Sequence, residues 1–116
     1  MKKLKTLKKN YEFETVIKKG KFYIGRQITI YILKNKENYN KFGMAISSKI
    51  CNAVMRNRIK RKIRENYRLL KNNLEIGYSI VFLWNKKVLP EKINFNVIKE
   101  DMHECFKKAG ILKWKG

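Results

Sequence analysis

The residues best suited to chemistry lie in one run, residues 52–68, which reads Asn-Ala-Val-Met-Arg-Asn-Arg-Ile-Lys-Arg-Lys-Ile-Arg-Glu-Asn-Tyr-Arg. Six of the nine residues from Arg56 to Arg64 are basic, and the first acid after them is Glu65. The planar fork of arginine suits bidentate phosphate contacts. The run also lacks the interleaved Glu that pairs with basic residues at i,i+4 on a solvated helix. Its chemistry is therefore capture of a polyanion. Phosphodiester hydrolysis would need a carboxylate cluster for a metal, or a general base beside a phosphate. The first 64 residues hold three acids, Glu12, Glu14 and Glu37. The single histidine, His103, follows Glu100 at ligand spacing, but dimetal sites need several such pairs. A solvated helix face is the plainer reading, so we expect no catalytic residue and no metal site.

The elements that position this run follow from periodicity. Met55, Ile59, Ile63, Tyr67 and Leu70 fall on roughly a third of a helical circumference at about 100° per residue. Asn57, Arg61, Arg64 and Arg68 project from the other side, with Arg58 and Lys60 on its flanks, and Asn52 is placed to cap the helix. Upstream, residues 1–9 carry five lysines and two leucines with little to bury, which reads as a flexible basic arm. A short helix follows, with Asn10 as cap, Glu12 and Glu14 in its first turn, Lys18 and Lys19 in its last, and Gly20 ending it. Phe13, Val16 and Ile17 are its apolar positions.

From Lys21 the period becomes two. Residues 21–25 form a short strand, and in the next strand Ile28, Ile30 and Ile32 oppose Thr29, Tyr31 and Leu33. Residues 34–41 read as a hairpin loop to a third strand, where Phe42, Met44 and Ile46 oppose Gly43, Ala45 and Ser47. That small-residue face leaves room for a ligand, another chain or a closely packed helix. After the basic helix, residues 78–84 are apolar enough for a buried strand, parallel to the third one. The last helix has Asn94 or Asn96 as cap and Ile98, Met102, Cys105, Phe106 and Ala109 as its stripe.

The chain of 116 residues is expected to form one domain, residues 1–116, without disulfides. Its net charge of +20 is uneven: residues 1–64 hold 19 basic and 3 acidic residues, residues 65–116 hold 10 and 6. Such an excess repels itself unless a polyanion neutralises it, and nucleic acid is the natural partner. The apolar runs are about five residues, far short of the roughly 20 a spanning helix needs. A cytoplasmic location is expected, with Cys51 and Cys105 as free thiols.

Residues 52–61, with Ile63 and Arg64 after them, resemble the arginine-rich motif of the bacterial ribonuclease P protein family, and the order of parts agrees from about Leu7 to Lys108. The resemblance implies an α+β fold of the ribosomal-protein-S5-domain-2 type, a two-layer α/β sandwich. Its order is αβββαβα, with a left-handed βαβ crossover where general rules favour a right-handed one. It implies the protein subunit of an RNA-based enzyme that removes the 5′ leader from precursor tRNA. The RNA subunit would hold the magnesium and do the chemistry; the protein would bind no cofactor of its own. Carried over position by position, Arg56, Asn57, Arg58, Lys60, Arg61, Arg64 and Arg68 would contact the catalytic RNA or lie at the edge of a cleft. Phe13, Ile17, Tyr31, Ser47 and Lys49 would line a cleft for the single-stranded leader, although the helical spacing of Phe13 with Val16 and Ile17 equally suits a core residue. The sequence departs from the family pattern at Ile17, where close relatives often have Phe, and at Ser48 and Cys51, where Lys and Gly are common. The partners implied are the ribonuclease P RNA and precursor tRNA, with no membrane and no protein oligomer. A ribosomal-type structural RNA-binding protein of similar fold is the rival reading. A major-groove DNA reader fits less well, because no short-turn helix precedes the basic one.

Overall fold

The computed structural model describes residues 5–113. Its elements run α1 (Asn10–Lys19), β1 (Lys21–Ile24), β2 (Ile28–Lys34), β3 (Lys41–Ala45), α2 (Ala53–Leu70), β4 (Tyr78–Trp84) and α3 (Phe95–Ala109), with short 3-10 turns after α2 and before α3. This is the expected αβββαβα order. The sheet order is β1-β2-β4-β3, with β4 antiparallel to β2 and parallel to β3. The expected hairpin between the second and third strands therefore does not form. β4 is buried along nearly its whole length, so it must lie inside the sheet, and it takes the place between β2 and β3. The true hairpin is β1–β2, turned by Gly25, Arg26 and Gln27.

Strand alternation sorts the side chains as the period predicts. Ile28, Ile30 and Ile32 meet Phe42, Ile80, Phe82 and Trp84 on one face, and α2 and α3 cover them with Ile59, Ile63, Tyr67, Ile98, Met102 and Phe106. Sheet and helix pair thus form two layers around the larger core. Helix α1 lies on the other face, where Leu7, Val16 and Val81 are buried and Phe13, Tyr31, Leu33, Ala45 and Leu83 are half-buried around them. The helix covers that face only in part. Phe13 settles the question left open by the small-residue strand: a Cβ added to Gly43 would lie 2.6 Å from the Phe13 ring, so the helix packs onto the bare glycine.

Caps follow the sequence in two helices of three. Asn52 Oδ1 accepts from the Met55 N–H at 2.9 Å, and Asn94, not Asn96, caps α3 by accepting from the Asn96 and Val97 N–H groups. In α1 the expected cap Asn10 is already inside the helix. The Glu12 carboxylate instead reaches back to accept from the Lys8 and Lys9 N–H groups at 3.2 and 3.1 Å. Gly20 ends α1 with an extended backbone. Its missing Cβ matters because one would stand 2.8 Å from the Ile32 carbonyl oxygen.

The expected arm is only partly described, since residues 1–4 lie outside the described residues. Residues 5–7 run beside β3: Leu7 N–H donates to the Phe42 carbonyl at 2.9 Å, and Phe42 N–H to that of Lys5 at 3.0 Å. Leu7 is buried, which corrects the reading that this segment has little to bury. An unpaired strand edge recruits extended chain, and Leu7 adds an apolar anchor.

Asp101 is a buried acid that periodicity did not reveal, 4% exposed on α3. Its carboxylate accepts from the Arg26, Gln27 and Ile28 N–H groups at 2.8, 2.8 and 3.1 Å, so it holds the β1–β2 turn against α3. Gly25 is required there, because an added Cβ would lie 2.4 Å from Asp101 Cγ. Hydrogen bonds to charged groups are worth about 1.5–3 kcal/mol each, and unmet buried donors cost about as much. Asp101→Ala should therefore lower unfolding stability by about 2–4 kcal/mol. Urea denaturation should show the midpoint falling at unchanged slope.

Candidate RNA interface

The geometry of α2 separates its two chemistries. Ile59, Ile63 and Tyr67 are buried, and burial pushes the Tyr67 phenol up to about 12. Asn57, Arg58, Arg61 and Arg68 are exposed, and Arg56, Lys60 and Arg64 are half-buried along the flanks. Arg56 Nη1 donates to the Cys51 carbonyl at 3.1 Å, which ties that guanidinium to the turn preceding the helix. Among the described residues the ion pairs are Arg26 with Glu100 and Lys41 with Glu12, and neither uses an α2 cation. The helix also has no acid in its first turn. Its positive field is left for an external anion.

Folding gathers more cations than the run itself supplies. The paired segment beside β3, the loop before β3 and the second half of α2 enclose a notch of about 660 Å³. Lys5, Lys8, Lys41, Arg64 and Arg68 line it together with Tyr39, and Lys5 Nζ lies 5.6 Å from the centre of the Tyr39 ring. The sequence displayed the lysines but could not assign them here, because their position depends on the backbone pairing of residues 5–7 to β3. Glu12 also lines this notch, at 3.6 Å from Lys41. The Lys9 N–H is the main cause holding the Glu12 carboxyl below its ordinary 4.5; the Lys8 N–H and Lys41 add to it, against a smaller opposing effect of burial.

The residues expected in a leader cleft are distributed over the α1 face and the end of β3. Phe13 and Tyr31 share the cluster around Val81, each half-buried. Ile17 stands outward at 36% exposure. Ser47 and Lys49 are exposed in the turn between β3 and α2, where Lys49 N–H donates to Ser47 Oγ at 3.1 Å. Cross-strand pairing shows a feature that spacing missed. Gly43, Val81, Tyr31 and Phe22 form one straight row across all four strands, and Phe22 is exposed at its open end. Only the register could reveal this. Elsewhere, Cys105 lies in the core with its thiol pushed up to about 11, mainly by burial. His103 is exposed on α3 and Glu100 pairs with Arg26. Among the described residues no three His, Cys, Asp or Glu side chains gather as metal ligands would.

A profile of the ribonuclease P family matches residues 1–110. The chain belongs to the ribonuclease P protein family. It is 39% identical over 106 residues to the ribonuclease P protein component of Clostridium botulinum, covering 90% of this chain and 94% of that one. The protein component from Bacillus cereus is 38% identical over 116 residues, with 99% of each chain covered. The solved ribonuclease P protein of Staphylococcus aureus superposes with a TM-score of 0.81 at 29% identity, covering 96% of this chain and all of that one. The family accounts for the mixed fold, and no helix among the described residues is long and apolar enough to cross a membrane.

In this chain the notch acid can be separated from the notch cations. A carboxyl whose pKa is lowered by folding adds stability above its unfolded value, and that stability is lost as pH falls. Glu12→Gln should therefore be less stable than wild type at pH 7, with the difference shrinking as pH drops below 4.5. The same change removes a negative charge from the notch and should tighten RNA binding. Thermal melts across pH and filter binding check the two effects.

Proposed function

We propose that this chain is the protein subunit of a ribonuclease P holoenzyme that removes the 5′ leader from precursor tRNA. The observation that carries this reading is the outer face of α2, where Arg58, Arg61 and Arg68 are exposed and enter no ion pair among the described residues. That face docks on the ribonuclease P RNA, with Arg56, Asn57, Lys60 and Arg64 completing the contact. The half-covered α1 face holds the leader: Tyr31 and Phe13 offer aromatic surface, Ile17 an aliphatic wall, and Ser47 and Lys49 polar contacts at the end of β3. Stacking of bases on aromatic rings tolerates any sequence, which suits an enzyme whose substrates share a cleavage site more than a leader sequence.

The protein positions; it does not cleave. Magnesium held by the RNA subunit supplies the hydrolytic chemistry in this reading. The chain's own residues neutralise phosphates so that RNA and substrate approach at lower magnesium, and they hold precursor more tightly than mature tRNA through the leader. Both surfaces belong to a single copy, acting in the cytoplasm, and neither needs a second protomer.

A phosphate contact appears as released counterions, at close to one unit of the log–log salt slope per phosphate. Arg61→Ala should reduce the slope of binding to ribonuclease P RNA by about one unit and weaken affinity at low salt. Unchanged slope and affinity would remove α2 from the docking surface. In cleavage assays at low magnesium, a bacterial ribonuclease P RNA should process precursor tRNA only when the protein is added. Tight RNA binding without leader removal would favour the structural RNA-binding role instead.

A further inference from the structure

Phe22 is a large aromatic side chain that neither core claims. It lies on β1, the four-residue outer strand, and it is 57% exposed. Its neighbour on the same face, Ile24, is 67% exposed. Apolar exposure on an edge strand invites wrong pairing, and proteins commonly put charge there. The register places Phe22 directly opposite Tyr31, their ring centres 5.6 Å apart and tilted by 36°. Tyr31 in turn faces Val81, and Val81 faces Gly43 beneath the Phe13 ring. A row of four strands spans about 14 Å at the usual strand spacing. Along it the aromatic surface runs from the packed Phe13, through half-exposed Tyr31, to open Phe22.

The surroundings favour an anionic partner. No Asp or Glu occurs between Glu14 and Glu37, so neither strand beneath the two rings carries an acid, and Lys18 and Lys19 end α1 just before β1. Lys21 pairs with Ile32 and so belongs to the other face of the sheet. Exposed aromatic rings on strands free of acid suit a single-strand platform. A protein partner adding a strand to β1 would use its backbone edge and would have no need of the exposed rings.

We infer that Phe22 is a second stacking platform for single-stranded RNA, taking a leader base beyond the one on Tyr31, farther from the cleavage site. This rests on the proposed leader-binding role of the α1 face. Phe22 then determines how much of a leader contributes to binding: short leaders reach Tyr31 alone, and longer ones reach both rings. The competing role is internal, with Phe22 merely shielding one side of Tyr31.

The experiment uses holoenzyme reconstituted with a bacterial ribonuclease P RNA and two precursor tRNAs, one with a long leader and one with a single-nucleotide leader. Phe22→Ala should weaken binding of the long-leader substrate about fivefold, at the low end of what one stacked base provides, and leave the single-nucleotide substrate unchanged. Phe22→Tyr should restore the long-leader affinity, whereas Phe22→Leu, apolar but unable to stack, should not. Equal weakening of both substrates would make Phe22 a structural residue and overturn the inference. So would unchanged or tighter binding of the long leader, which is the signature of a shield removed from Tyr31. A concentration-dependent dimer of the protein alone that Phe22→Ala dissolves would assign the patch to self-association and overturn it too.

A second readout separates this inference from the reading beneath it. In the protein alone, F22W should show fluorescence quenching on addition of a uridine homopolymer, beyond any change in wild type. Quenching without stimulation of cleavage by wild-type protein would retain the platform and reject the ribonuclease P role. Stimulated cleavage without quenching and without a leader-length effect would retain the role and reject the platform.

Discussion

The structure depends on the burial of β4. The segment Tyr78–Trp84 is apolar on both of its faces, so it can only be an interior strand, hydrogen-bonded on each side. Its antiparallel neighbour β2 already precedes it in the chain. Its other neighbour, β3, lies parallel to it, and parallel neighbours cannot be joined by a tight turn. The chain between them must cross over one face of the sheet, and that crossover is α2. The basic helix is therefore placed by the needs of an apolar strand. With Ile59, Ile63 and Tyr67 drawn into the core, its cations have one direction left.

Charge is arranged against the grain of folding. A net +20 on 116 residues resists compaction, yet the two ion pairs among the described residues leave the α2 arginines without an acid partner. Two of the nine acids serve the fold. Asp101 holds three backbone N–H groups at the β1–β2 turn, and Glu12 satisfies two at the start of α1. With these acids committed, the cationic surface keeps its field for a partner. Binding a polyanion would then relieve repulsion within the protein as well as join two molecules.

The two faces of the sheet divide the labour. Toward α2 and α3 the packing is complete, with Ile30, Ile80 and Phe82 wholly enclosed. Toward α1 it is deliberately partial in effect: one helix of ten residues covers Val81 and Gly43, and leaves Tyr31, Ala45 and Leu83 half-open. Gly43 permits this asymmetry, because the Phe13 ring lies against bare backbone and α1 can sit close and to one side. The uncovered aromatic row is what remains.

The sequence by itself determined the elements and the sense of their faces. Periodicity placed α2, its Asn52 cap, the alternation of β2, and β4 with its bounds, because these are local consequences of 3.6- and 2-residue repeats. The motif of residues 52–64 pointed to the family. Tertiary structure decided what local pattern cannot encode. The expected β2–β3 hairpin gave way to β4, because strand order is set by total burial across the sheet and not by proximity in the chain. Residues 5–7 paired with the open edge of β3, and so brought Lys5 and Lys8 beside Arg64 and Arg68, because an open row of backbone groups lay beside them. Asp101 was illegible as a buried acid, since its three partners are more than seventy residues away in sequence. Phe22 met Tyr31 for the same reason: a register is a relation between strands, and no single strand contains it.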